Sequence, residues 1–409
     1  MKINSALYNP YTGIIKKITL LQNELVPDYY IIKSNVTDKK KFDTEFLFDE
    51  IGAGCSLNYE KAIMSSIGEA IERYCGNIPV NEIIEKSKQE LDNSGEKYFP
   101  IESFISYPES TRRAVGFPFK NLEKEEKFSW VKGYSLFNKK KKHLIPATMV
   151  YVNFMTKENR SYNFPNLSGL ASGTSLNQAI SSAILEIIER DASIRWWYFD
   201  TAERLIRKST TNNYVFLSYQ IDAIVPTVAS FLFDLKNELV SVGFASRFDF
   251  EDAIEKSKSE AVQLNMNMIN ILNNNLSSAD PVKKYLKPYR KDRNYIDSFK
   301  KDKMDMFDLI HNIQYYVDRR AFKKLSIRLN QVVEEIQEEN LISNIERLFS
   351  YFKETKQEVI ITEITTEDIK NMGWYVVRVL IPGFIINTPT AFLPINRELI
   401  RNRMPLPHS

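Results

Sequence analysis

The stretch GTSLNQAISSAILEIIERDA, Gly173 to Ala192, decides how the rest of the chain is read, because it occurs in three versions. An earlier one is GCSLNYEKAIMSSIGEAIERY, Gly54 to Tyr74, and a later one is FDFEDAIEKSKSEAVQLN, Phe248 to Asn265. Each carries an Ala-Ile pair, at Ala62, Ala179 and Ala253, with a glutamate seven residues after the alanine: Glu69, Glu186 and Glu260. Three residues further stand Glu72, Glu189 and Gln263. Residues at i and i+3 share one helix face. Helices of this kind brought together make a pocket walled by carboxylates, and packed carboxylates need cations. The cation expected is Mg²⁺ carrying a nucleotide, since Mg²⁺ takes a few carboxylates together with phosphate oxygens and water.

A lone ExxER reads as a solvated face with Glu69 and Arg73 paired at i,i+4. Repetition argues against that, because a solvated face has no reason to keep the same interval three times. The flanks, IGEAIERY and ILEIIERDASIRWWYF, are also apolar, and charges in such a setting are paired or ligating. In the first copy Ser66, Glu69, Glu72 and Arg73 are assigned to one stripe. Arg73, Arg190 and Arg195 are the candidates to neutralise phosphate. A purely structural repeat is the alternative.

Bulk properties narrow the class. A chain of 409 residues with 43% hydrophobic and 12% aromatic content folds, and has room for two or three subregions. A net charge of +3 does not argue for nucleic acid. No apolar run suits a membrane span or a signal peptide, and Cys55 and Cys75 are the only cysteines, so the chain reads as cytoplasmic and reduced. His143, His311 and His408 have no zinc spacing. Neither GxGxxG nor GxxxxGK[ST] occurs, so a nucleotide would bind without the common phosphate loop.

Strands and long helices interleave without regular βαβ order, which predicts an α+β fold. The first repeat helix is expected from Tyr59, capped by Asn58, to Gly76. Residues 80–92 are expected to form an amphipathic helix. Trp130 to Asn153 reads as a hairpin that turns on the run Asn138 to Lys142. The second helix continues to about Phe199, strands fill Tyr214 to Arg247, and the third helix reaches about Leu272. Asn273 to Lys303 is a polar, basic loop. Helices follow at about 304–316 and 330–354, then strands in QEVIITEI and WYVVRVLIPG. Cys55 reads as packing.

The chain resembles the YcaO family, ATP-using enzymes that activate peptide backbone amides. The resemblance covers nearly the whole chain. It lies in SxxExxER (Ser66, Glu69, Glu72, Arg73), NLSGLASG (Asn166 to Gly173), ExxERDA (Glu186, Glu189, Arg190, Asp191), Glu260 to Gln263, and IPG at Ile381 to Gly383. It implies a YcaO-like fold of repeated glutamate-bearing helices packed with mixed or antiparallel sheets around an ATP site. The unit would span 1–409: 1–165 with the first repeat and hairpin, 166–275 with the other two repeat helices, 276–396 with C-terminal helices and strands, and 397–409 as a proline-containing tail. ATP and Mg²⁺ are the implied cofactors. Glu69, Glu72, Glu186 and Glu189 would hold the metal. Ser66, Arg73, Asn166, Ser168, Arg190, Arg195, Lys256, Glu260 and Gln263 would complete the cofactor site. Ser5, Lys16 and Lys17 are further candidates near the start. Lys256 stands where the family often has arginine, and His311 to Tyr316 departs from the family's D-H-x-x-x-Y.

The tail, Met404-Pro405-Leu406-Pro407-His408-Ser409, resembles the proline-rich end of azoline-forming members. Pro405 and Pro407 would then organise the active site. The implied reaction is cyclodehydration of Cys, Ser or Thr in a ribosomal precursor peptide. Because YcaO-like sequence begins at once, an E1-like or ThiF-like partner is expected to bind the leader, and an FMN-dependent dehydrogenase is a possible later partner. Thioamide or macroamidine formation and a non-catalytic ATP-binding accessory role are the alternatives. The sequence leaves the oligomeric state, a homodimer included, open.

Overall fold

The computed structural model describes residues 6–37, 51–154, 161–276 and 283–408. Among the described residues, three antiparallel sheets are arranged so that each repeat helix follows a strand and lies on a sheet, an α+β fold. The first sheet is β1 (Ile15–Leu21), β2 (Tyr30–Val36) and β3 (Ile51–Ser56), covered by α1 (Tyr59–Gly76). The second has the order β4 (Ile84–Ser87), β5 (Lys127–Ser135), β12 (Ile360–Glu363), β13 (Tyr375–Leu380) and β7 (Leu170–Gly173). In it β6 (Asn138–Pro146) pairs with β5. The third runs β11 (Leu239–Ser246), β10 (Thr227–Asp234), β9 (Tyr214–Ile221) and β8 (Glu203–Thr210), with α6 (Phe250–Leu272) across it.

The repeat has a local physical cause. Asn58, Ser175 and Asp249 are the N-caps, each accepting from the backbone N–H three residues on. The alanine four residues after each cap donates the first helical hydrogen bond to the cap carbonyl, at 3.0, 3.1 and 3.1 Å. Ala62, Ala179 and Ala253 are all fully buried. At Gly52 and Gly243 strand and helix touch so closely that a Cβ would meet the carbonyl oxygens of Ser66 and Ser257, both at 2.1 Å.

The middle helix, α5 (Leu176–Phe199), bridges two sheets. Its first half packs on β12 and β13, and its second half packs on β9 to β11. A helix buried on most of its surface must be apolar nearly all round, as ILEIIERDASIRWWYF is. Strands β10 and β11 are buried at every residue, between α6 and the C-terminal helices and tail.

Four expectations are corrected. Residues 80–92 are not one helix: Ile84–Ser87 pairs with β5, and a Ser87–Glu90 capping box starts α2 (Lys88–Ser94) only afterwards. Two short helices follow, α3 (Glu109–Arg112) and, after β6, α4 (Ala147–Val150). The hairpin turns at Leu136–Phe137, because Ser135 pairs with Asn138, and this carries the lysine run into β6. Helix 304–316 begins at Asp308, whose side chain caps α7 (Leu309–Tyr316); α8 (Arg319–Leu325) follows. The stretch 331–344 is irregular. It is held by Glu334 N–H to Leu205 O and Ile342 N–H to Ile224 O, and α9 (Ile345–Glu354) starts only at its cap, Asn344. Strand β8 is an addition to the expected elements. The chain closes with α10 (Glu367–Asn371) and α11 (Arg397–Asn402).

Candidate active site

The cavity where α1, α5 and α6 converge has a volume of about 610 Å³. Its walls hold five carboxylates: Glu69, Glu72, Glu186, Glu189 and Glu260. Arg73, Arg190, Lys256 and Arg247 are the basic side chains, with Gln263 and His408 beside them. The repeat interval therefore places equivalent residues of all three helices in one cavity.

Backbone donors fix several glutamates. Glu69 accepts from Ala53 N–H at 2.9 Å, and Glu186 from Gly169 N–H at 3.0 Å. Glu72 accepts from the Ser172 N–H at 2.8 Å and from its hydroxyl at 3.0 Å. Arg73 donates to Glu69 at 3.0 Å, Arg190 lies 3.5 Å from Glu186 and 3.6 Å from Glu189, and Lys256 lies 3.1 Å from Glu260. The countercharge is incomplete. Burial, then Glu186 and Glu69, push the Glu72 carboxyl up to about 8. Burial, with Glu260 and Glu186 nearby, likewise pushes Glu189 up to about 8. Burial opposes ionisation of Glu260 too, but Lys256, His408 and Arg190 hold it well below the usual carboxylate range.

These donors fit Mg²⁺ bound with phosphate. They are hard oxygens short of positive charge. Among the described residues, no group of three His, Cys, Asp or Glu side chains is placed to hold a metal ion by itself; Mg²⁺ ordinarily takes one or two carboxylates together with phosphate oxygens and water.

Hydrogen bonds dock the segment from Arg403 to His408. Arg403 bonds Trp197 O at 2.9 Å and pairs with Asp200. Met404 O accepts from Trp197 at 2.8 Å, Pro405 O from Tyr316 at 2.6 Å, and Leu406 N–H donates to Tyr198 at 3.1 Å. His408 O accepts from Asn312 at 3.2 Å. The His408 ring reaches the cavity: Nδ1 lies 3.2 Å from Arg190 and Nε2 lies 3.6 Å from Glu260. Arginine only donates, so in a hydrogen bond between Arg190 and this ring Nδ1 is the acceptor.

The placement of the remaining candidates differs from expectation. Ser66 does not line the cavity. It is fully buried, with its hydroxyl 2.8 Å from Ser34, as Ser257 stands 2.7 Å from Ser230 in the third repeat. The cavity position is Ser65, four residues before Glu69. Asn166 and Ser168 are buried behind the wall, where the fully buried Arg378 donates to their carbonyls, each at 2.8 Å, and to Val150 O at 2.9 Å. Arg195 is outside the cavity lining and paired with Asp191 at 2.7 Å. Pro405 and Pro407 lie buried in the docked tail, and His408, not a proline, lines the cavity. Lys16 and Lys17 are on β1, outside the lining, and Ser5 falls outside the described residues. His311 is structural: it caps α7 and bonds Tyr285 O at 2.6 Å. Cys55 is buried packing, as expected. Arg247, Arg378 and His408 escaped sequence reading. Only Arg378 left a signal, as a lone charge inside YVVRVL.

Fold and cavity together define an α+β protein with one carboxylate-rich site walled by three repeat helices and no glycine-rich phosphate loop. A sequence profile of the YcaO cyclodehydratase family, described as ATP- and Mg²⁺-binding, matches residues 53–385. The chain belongs to that family. No curated protein matches in sequence. Among solved structures, a heterocyclase in complex with substrate and cofactor aligns with a TM-score of 0.66 and 15% identity over 93% of this chain. This chain spans only 51% of that heterocyclase. YcaO from Methanopyrus kandleri, bound with AMPPCP and Mg²⁺, aligns with a TM-score of 0.58 and 16% identity over 91% of this chain and 86% of its own. A chain of the E. coli microcin synthetase McbBCD complex with pro-MccB17 bound aligns at 0.60 and 15% over 98% of both chains. Among the described residues, no helix is long and apolar enough to cross a membrane.

Proposed function

We propose that this chain catalyses ATP-dependent cyclodehydration of Cys, Ser or Thr residues in a ribosomal precursor peptide. The observation that carries the reading is the three-helix carboxylate cavity, lined on one side by the docked Pro-x-Pro tail through His408. The substrate side chain attacks the preceding backbone carbonyl, forming a ring-closed hemiorthoamide. Its oxygen takes the γ-phosphoryl group of ATP, releasing ADP. That oxygen then departs within phosphate, the ring nitrogen loses its proton, and a thiazoline or (methyl)oxazoline remains. Phosphorylation makes a poor oxygen leaving group a good one. Glu69, Glu72, Glu186 and Glu189 would hold Mg²⁺, which supplies charge neutralisation at the phosphates. Arg73, Arg190 and Lys256 keep the glutamates oriented through their ion pairs.

The microcin synthetase relative is a complex solved with its peptide bound. By analogy, an E1-like or ThiF-like partner would present the leader here, and an FMN-dependent dehydrogenase would oxidise azolines to azoles.

Mass spectrometry of a Cys/Ser/Thr-rich precursor peptide, incubated with the chain, such a partner, ATP and Mg²⁺, tests the reading. Loss of about 18 Da per ring is expected, because each closure expels one water from the peptide. A gain of about 16 Da, sulfur replacing oxygen, would reassign the chain to thioamide formation. Unmodified peptide without peptide-stimulated ATP hydrolysis would favour the accessory role.

A further inference from the structure

Three of the four basic side chains in the cavity already have carboxylate partners on their own helices: Arg73 with Glu69, Arg190 with Glu186, and Lys256 with Glu260, all at i,i+4 spacing. Arg247 does not. It stands in the short turn between β11 and α6, half-buried, and makes no ion pair among the described residues. Among the described residues its one side-chain hydrogen bond, 2.7 Å, goes to the carbonyl of its neighbour Ser246. A guanidinium carries five donors in a rigid fork, so most of this one is left for a ligand.

Arg247 lines both the glutamate cavity and a second cavity of about 310 Å³, which includes Lys61, Asp252 and Glu255. Lys256 and Ser65 line both as well, so the three mark the threshold between them. Arg247 is also near enough to Glu189 to favour its ionised form. Carboxylates that neutralise a metal therefore share the cavity with an unpaired guanidinium, and a metal-bound polyphosphate satisfies both. Lys256 cannot replace the fork, because an ammonium is a point charge.

We propose that Arg247 binds the phosphate chain of the nucleotide directly, through two parallel N–H···O bonds, at the threshold of the two cavities. This rests on the reading of the glutamate cavity as the Mg²⁺–nucleotide site. Calorimetric titration of the ligand-free chain with Mg²⁺–AMPPCP, and separately with AMP, tests it. In Arg247→Met, affinity for Mg²⁺–AMPPCP is expected to fall about 10- to 100-fold, and in Arg247→Lys about tenfold, with AMP much less affected. The melting temperature of the ligand-free variants should stay close to wild type, since no ion pair is lost and the hydrogen bond removed is a local one to the neighbouring Ser246 carbonyl. Lys61→Met removes a charge from the second cavity only and should bind like wild type. If Arg247→Met keeps wild-type affinity, or Lys61→Met loses as much, the direct contact is refuted while the nucleotide site stands. If wild type itself binds no Mg²⁺–AMPPCP, both readings fall.

Discussion

Glu72→Gln is expected to lower peptide-stimulated ATP hydrolysis about 10²- to 10³-fold, the equivalent of losing several kcal/mol of metal-mediated charge stabilisation. It should do so without weakening the ligand-free fold. Glutamine keeps an oxygen that can accept from Ser172 N–H and its hydroxyl, as Glu72 does. What disappears is a buried carboxyl able to ionise beside Glu186 and Glu69 when a cation arrives. The pH dependence gives the sign. Folding raises the Glu72 carboxyl from its ordinary value near 4.5 to about 8, so the folded state holds that proton more tightly than the unfolded one. Its stabilising contribution is complete below the unfolded value and is lost as pH rises from about 4.5 to 8. Thermal melts of ligand-free wild type and variant at pH 5 and pH 9 should therefore diverge, the variant gaining relative stability at pH 9. A variant that melts well below wild type at pH 9 would mean that the charge is structural.

Arg378→Met is expected to cost about 3–5 kcal/mol of folding stability, large enough to leave little soluble protein. Arg378 is fully buried, and burial pushes its guanidinium down to about 10. It persists there because its fork satisfies three carbonyls, those of Val150, Ser168 and Asn166. Methionine fills the volume and leaves those acceptors buried without partners. The same loop supplies Gly169 N–H to Glu186, so the damage would reach the cavity. Arg378→Lys should recover only part of the loss, because one ammonium cannot span three acceptors in a plane. Denaturant midpoints of the two variants check this; a wild-type midpoint for Arg378→Met would contradict it.

Local chemistry explains what was legible in the sequence. A cap, an alanine four residues later and a glutamate eleven residues after the cap lie within one helix, so their spacing survives in the letters. The convergence of Glu69, Glu186 and Glu260 follows once strand and helix are repeated. Ser66 shows the limit of the argument: it is three residues before Glu69, yet the helix turns it onto Ser34, and Ser65 takes the wall. Arg195 fails for a similar reason, lying on another side of α5 from Glu189, beside Asp191. Arg247 and His408 reach the cavity from a turn and from the tail, positions set by packing between distant segments that no local pattern encodes. The irregular path of 331–344 is likewise decided by hydrogen bonds to Leu205 and Ile224, not by its helix-favouring glutamates.

The central claim is that the three repeat helices form one metal–nucleotide site. Its most direct test is a crystal grown with AMPPCP and Mn²⁺ in place of Mg²⁺, with anomalous scattering used to locate the metal. The account predicts metal peaks in the cavity among Glu69, Glu72, Glu186 and Glu189, with the phosphates between them and the basic side chains. Nucleotide and metal bound elsewhere, with that cavity holding only water, would contradict it.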